Sequence, residues 1–109
     1  MLNSEEDFKV GFSSLERGQL YPIVQIEKTE SKFYGKTVSG MKVNVLDGDL
    51  KLVTYLPKEM VDAIKDADFD EIAYAARTNE KFTVCYYGKM QNSQTTTFIG
   101  RVHRPGEGR

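Results

Sequence analysis

Cysteine is nearly missing from this chain. Cys85 stands alone, so no internal disulfide can form, and a single thiol in an apolar alternating segment behaves as a small buried hydrophobe. There is one histidine, His103, near the C-terminus, with no nucleophile or metal-ligand partner close to it in sequence. That argues against hydrolytic and metal chemistry and leaves it a surface or phosphate-contacting role. No glycine-rich phosphate loop or dinucleotide fingerprint occurs. No stretch approaches the roughly 18 consecutive apolar residues of a membrane span. The N-terminus, Met1-Leu2-Asn3-Ser4-Glu5-Glu6-Asp7, opens on acids where a secretory leader carries basic and apolar residues. The expectation is a soluble intracellular protein that is not an enzyme and uses no cofactor or metal.

What is present is enough for one domain. A chain of 109 residues with 39% hydrophobic and 11% aromatic residues can bury one core without staples. The net charge of −1 hides a polarised distribution. Residues 1–18 carry two basic and four acidic side chains, and residues 57–80 carry three basic and seven acidic. The remaining, strand-like residues hold ten basic against five acidic. One surface is therefore suited to phosphates despite the acidic sum.

Along the chain, residues 1–12 form an acidic tail or a short docking strand in which Phe8, Val10 and Phe12 alternate. Residues 13–104 form the domain, and 105–109 a mobile tail. Ser13 and Glu16 have the spacing of a capping box, followed by Gly18, which predicts one helical turn. A first strand runs from Gln19 to Thr29, with a bulge near Val24, and a loop covers Thr29–Gly35. A second strand, Lys36–Leu46, turns at Asp47-Gly48 into a third, Asp49–Leu56. In the third strand Leu50, Leu52, Thr54 and Leu56 face inward, while Lys51, Val53 and Tyr55 face outward. Pro57 starts a helix with Met60, Val61 and Ile64 inward. A second helix starts at Asp68 and lays Phe69, Ile72, Ala73 and Ala76 on one side. A fourth strand covers Lys81–Tyr87, a polar turn Gly88–Gln94, and a fifth strand Thr95–His103. Tyr21, Phe82, Tyr86 and Phe98 read as core. The fold class is mainly β with helices: an OB-fold, a five-stranded Greek-key β-barrel with a helical insertion between strands three and four.

The acidic run Asp66-Ala67-Asp68-Phe69-Asp70-Glu71 fails as a calcium loop. Counted from Asp66, the sixth position is Glu71 instead of glycine and the twelfth is Arg77 instead of glutamate. Helix capping accounts for these acids. Binding single strands without reading sequence needs cations along a groove and rings on which bases stack. Lys32, Phe33, Tyr34 and Lys36 cluster in and after the first loop. Lys42, Lys51 and Tyr55 share the outer face of strands two and three, and Tyr87 and Lys89 lead into the last loop. Lys28 and Arg101 stand at the rim.

The segment Gly18-Gln19-Leu20-Tyr21-Pro22-Ile23, continued by Ile26-Glu27-Lys28 and Ser31-Lys32-Phe33-Tyr34-Gly35, with Leu56-Pro57-Lys58 and Tyr87-Gly88-Lys89, carries a further signal. Over roughly residues 12–100 the chain resembles short OB-fold single-stranded DNA-binding proteins associated with viruses and virus-derived mobile elements. The resemblance implies a protein that coats or protects exposed strands during DNA replication, with little sequence preference, at the site of replication in the nucleus or cytoplasm of a host cell. Lys32 and Tyr34-Gly35 fall where that group has a Lys-aromatic-Gly loop, with Phe33 as an inserted residue. The partner is then single-stranded DNA, with RNA as the alternative nucleic acid, and assembly of several copies along the strand would offset the modest charge. The competing function is a protein-interaction module in a replication or repair assembly, its aromatics serving as anchors. An oligosaccharide-binding barrel would need the stacking without the cations.

Overall fold

The computed structural model describes residues 8–106, and Phe33 through its backbone alone. The elements are β1 (Phe8–Lys9), a 3₁₀ turn (Phe12–Ser14), β2 (Leu20–Phe33), β3 (Lys36–Asp47), β4 (Leu50–Tyr55), α1 (Lys58–Ala63), α2 (Asp66–Ala75), β5 (Thr83–Gln91) and β6 (Thr96–His103). The strands form one curled sheet in the order β1-β4-β3-β2-β5-β6, a mainly β half-barrel with few helices. There are thus six strands among the described residues, not five. The addition is Phe8–Lys9, which lies parallel along β4 with Phe8 opposite Leu52. The preceding residues 1–7 of the proposed tail, and 107–109 of the C-terminal one, are outside the described range.

β2 is the spine of the sheet. Its first residues pair with β5 (Leu20 opposite Cys85), and from Ile23 onward it pairs with β3. The register slips between Ile23 and Gln25, which places the anticipated bulge at Val24 and turns the strand from one half of the sheet into the other. Inward alternation then gives the core: Ile23, Val43, Val45 and Val84 are completely buried, with Tyr21, Ile26, Leu52, Phe82 and Tyr86 around them. Phe12 closes one end, its ring edge-on to Tyr86 at 5.3 Å between centroids. Phe98 is half-buried and packs on the far side of Tyr86 at 6.4 Å.

Several boundaries differ from the sequence expectation. Thr29–Gly35 is not a loop: β2 and β3 continue as a two-stranded arm to the pair Phe33 and Lys36. The turn is only Tyr34-Gly35, with φ of +52° and +78°. Two consecutive left-handed residues are what a tight two-residue hairpin demands, and β-branched Thr29, Thr37 and Val38 favour extension on either side. β5 likewise runs past Tyr87 to Gln91, through an irregularity between Tyr86 and Gly88. The reversal is confined to the tip, where Asn92 Oδ1 accepts bonds from the backbone N–H of Gln94 and Thr95 and from the Thr95 hydroxyl. α2 starts at Asp66, one half-turn early, with Asp68 Oδ2 accepting from the Lys65 backbone N–H at 3.1 Å. The 3₁₀ turn is entered from Gly11 with no side-chain cap, so the Ser13–Glu16 capping box does not form. The Glu16 backbone N–H instead donates to the Tyr21 hydroxyl at 2.8 Å. Leu50 is exposed, because it sits at the turn end of β4 beyond the covered part of the sheet.

Candidate nucleic-acid interface

Pleat parity decides which candidate residues meet. On β3 the buried Met41, Val43 and Val45 alternate with Lys42, Asn44 and Leu46, and on β4 buried Leu52 and Thr54 alternate with Lys51, Val53 and Tyr55. Register aligns the outward residues into rows across the sheet. One row is Glu27, Lys42 and Tyr55; the next is Gln25, Asn44 and Val53; a third pairs Leu46 with Lys51. Lys42, Lys51 and Tyr55 therefore share one face, and Tyr55 keeps 47% of its surface open. Lys36 and Val38 lie further along the same face toward the arm's tip.

β1 adds a cation that sequence reasoning missed. Lys9 Nζ stands over the Tyr55 ring, 5.8 Å from its centroid. The only sign of it in the sequence is its polar place within the Phe8, Val10, Phe12 alternation. The face also carries an acid: Glu27 Oε1 lies 2.6 Å from Lys42 Nζ, directly across the strand pair. Lys42 is thus partly engaged before any ligand arrives.

The arm ends in Tyr34, which is 91% exposed and holds a left-handed backbone that costs a tyrosine about 1 kcal/mol relative to glycine or asparagine. Phe33 occupies the strand position opposite Lys36, and its side chain is outside the described set. Lys32 pairs with Thr37 and falls on the reverse face of the arm, on the parity of Lys28, Glu30 and Met41. Lys28 is not a free rim cation. Its ammonium is 2.9 Å from Asp66 and 4.9 Å from the Phe69 ring, which ties α2 to β2.

The β5–β6 hairpin leaves the sheet from the other end of the short β2–β5 pairing, so it does not continue the Lys42–Tyr55 face. Lys89 and Arg101 are exposed on it, each within a strand and not in a loop. Tyr87 is about half exposed, with its hydroxyl turned in to lie 2.6 Å from His103 Nε2. Burial raises the Tyr87 hydroxyl above the ordinary tyrosine range, the neighbouring Cys85 adds to this, and the Arg101 guanidinium opposes it. His103 is only 7% exposed, which corrects its assignment to the surface: Tyr87 covers it from the outer side of the strand pair. Among the described residues no group of three or more His, Cys, Asp and Glu is placed to hold a metal, and no helix is long and apolar enough to cross a membrane.

The arrangement defines a half-barrel with a lysine- and tyrosine-bearing sheet face and a projecting aromatic-tipped arm. Comparison with protein-family models, with curated proteins and with solved structures finds no match to the chain.

Proposed function

We propose that this protein is a single-stranded DNA-binding protein of the OB type that coats exposed strands without reading their sequence, and that it is not an enzyme. Leaving β1 aside, the order β4-β3-β2-β5-β6, with both helices between β4 and β5 along the chain, agrees with a partly open Greek-key barrel of this type. The observation that carries the functional reading is Tyr34. A turn position that favours glycine or asparagine holds instead a ring projecting into solvent between Lys32 and Lys36, at a cost in backbone strain. Bases stacked on that ring would lead down the outer face past Lys36 toward Lys42, Tyr55 and Lys51, where ammonium groups meet phosphates. The resemblance to viral and mobile-element proteins agrees with a role in DNA replication.

The test is a fluorescence-anisotropy titration of labelled oligothymidine, and of a duplex of equal length, at two salt concentrations with wild type, Tyr34→Ala and Tyr55→Ala. The expected result is a salt-sensitive preference for the single strand, with a log-log slope near −0.7 per phosphate neutralised, weakened by either substitution. No binding to the single strand at low salt would overturn the proposal and leave the protein-interaction module as the standing reading.

A further inference from the structure

A concavity outside the sheet face lies between the two helices and β6. It has a volume of about 490 Å³ and an apolar floor that includes Met60, Ile64, Ile72, Phe82 and Phe98. One wall is the consecutive stretch 97–102 of β6 itself. β6 is the terminal strand of the sheet, and among the described residues no further strand pairs with its outer edge. An apolar trough is thus bordered by a row of backbone donors and acceptors available for pairing. Edges of this kind are normally blunted by proline, by a bulge or by an inward charge. Thr96–His103 contains no proline, and the extra residue of its ladder, Tyr87, belongs to β5.

Two properties of the trough specify an occupant. The strand edge requires an extended backbone, because only that geometry matches the spacing of its polar groups. The opposite wall is acidic where it meets the trough: Glu59 and Asp68 line it, and no lysine does. Of the two arginines at the rim, Arg104 is committed to Glu71 at 2.7 Å and to the Phe82 ring at 5.6 Å. We infer that this trough is a strand-addition site for an extended, basic segment of a partner protein. Apolar side chains of the segment alternate into the floor, and its lysines or arginines turn toward Glu59 and Asp68. The site shares no residue with the Lys42, Lys51 and Tyr55 face, so it stands whether or not that face binds nucleic acid.

The experiment is a nuclear magnetic resonance titration of the isotope-labelled full chain with a short synthetic peptide alternating lysine and valine, and with its counterpart carrying glutamate in place of lysine. The lysine peptide is expected to shift the amides of residues 97–102 and slow their hydrogen exchange, binding at least about tenfold more tightly than the glutamate peptide. Ala63→Trp, an exposed helix position on the trough wall, fills the space and lowers affinity for the lysine peptide by about tenfold or more. Glu59→Lys leaves the space open and weakens the lysine peptide by roughly threefold or more. Circular dichroism verifies that both variants are folded. Equal binding of the two peptides, shifts confined to residues outside 97–102, or undiminished binding by folded Ala63→Trp would overturn the inference.

Discussion

Gly100 has no room for a side chain, and substituting it tests the core packing directly. A methyl group built at this position would lie 2.8 Å from Phe12 Cε2 and 2.9 Å from Met60 Sδ, and closer still to Phe12 Cζ. Its backbone is not left-handed, so the need for glycine is one of room. Phe12 cannot readily retreat, because it is buried with its ring against Tyr86. Relieving the overlap means moving the 3₁₀ turn or pushing β6 away from α1. Overpacking of this severity costs about 2 to 3 kcal/mol, less about 0.5 kcal/mol recovered from the reduced freedom of the unfolded chain. With a urea m-value of about 1 to 2 kcal/mol/M for a domain of this size, the denaturation midpoint of Gly100→Ala should fall by roughly 1 to 2 M. Phe12→Leu alone loses ring packing worth about 1 to 2 kcal/mol, but it vacates the space the methyl needs. The double variant should therefore be more stable than the sum of the singles implies, by about 1 kcal/mol or more. A Gly100→Ala protein within about 0.5 kcal/mol of wild type, or strictly additive singles, would refute the placement of Phe12 against β6.

Tyr34→Asn should raise stability by about 0.5 to 1 kcal/mol in urea titration, because asparagine tolerates the left-handed turn, while weakening oligothymidine binding by roughly 5- to 100-fold through loss of a stacked base. A gain in both quantities would separate the strained turn from ligand binding. Glu27→Gln removes the acid that holds Lys42 at 2.6 Å and should tighten single-strand binding by roughly twofold to tenfold in anisotropy, most visibly at low salt; weaker binding would count against the face. Thr54 is fully buried between apolar neighbours, and its hydroxyl has no hydrogen-bond partner among the described residues. Thr54→Val should accordingly stabilise the protein by about 1 kcal/mol. Because the Tyr87 hydroxyl is held above its usual range, its contribution to stability is complete below pH 10 and disappears as pH rises through the folded-state value. Tyr87→Phe lacks both this contribution and the bond to His103, so it should be the less stable protein at neutral pH, and its stability should fall less steeply than that of wild type as pH rises above about 10.

The strands were legible in the sequence wherever one face is buried and the other solvated. The alternation Met41, Val43, Val45 against Lys42 and Asn44 fixed β3 and its register parity, and the run Leu50–Leu56 did the same for β4. The bulge at Val24 was readable because Ile23 and Ile26 cannot both face inward on an unbroken strand. The arms were not legible, and for one physical reason. From Thr29 to Lys32, and from Lys89 to Gln91, both faces of the ribbon are in or near solvent, so no apolar alternation marks a strand, and the adjoining serine and glycine read as loop. Tyr34 concealed a two-residue turn, since tyrosine is not a residue from which a left-handed backbone is inferred. His103 was misplaced because its burial depends on Tyr87 folding back over it across sixteen residues, a contact without local signature. Lys28 drew attention as a charge near a basic cluster, yet pleat parity points it at α2, where Asp66 and Phe69 hold it.

Among the site residues, the sequence identified chemistry better than neighbourhood. Lys42, Lys51 and Tyr55 come together because they occupy outward positions on adjacent strands, a relation that alternation alone supplies. Tyr87, Lys89 and Arg101 do not join them, because β5 meets β2 over only three residue pairs and then departs in the opposite direction. A strand of nucleic acid following the outer face would therefore engage one hairpin arm and the β1–β4–β3 surface first, and the second arm only by bending around the barrel. That order of engagement makes a distinction that charge counting cannot. Substituting Lys51 or Tyr55 should weaken oligothymidine of any length that binds at all, whereas substituting Lys89 or Arg101 should weaken long oligonucleotides while leaving the shortest binding ones unaffected. Equal losses across all lengths from Lys89→Gln would mean that the ligand crosses both hairpins at once, and the path along the outer face would have to be redrawn.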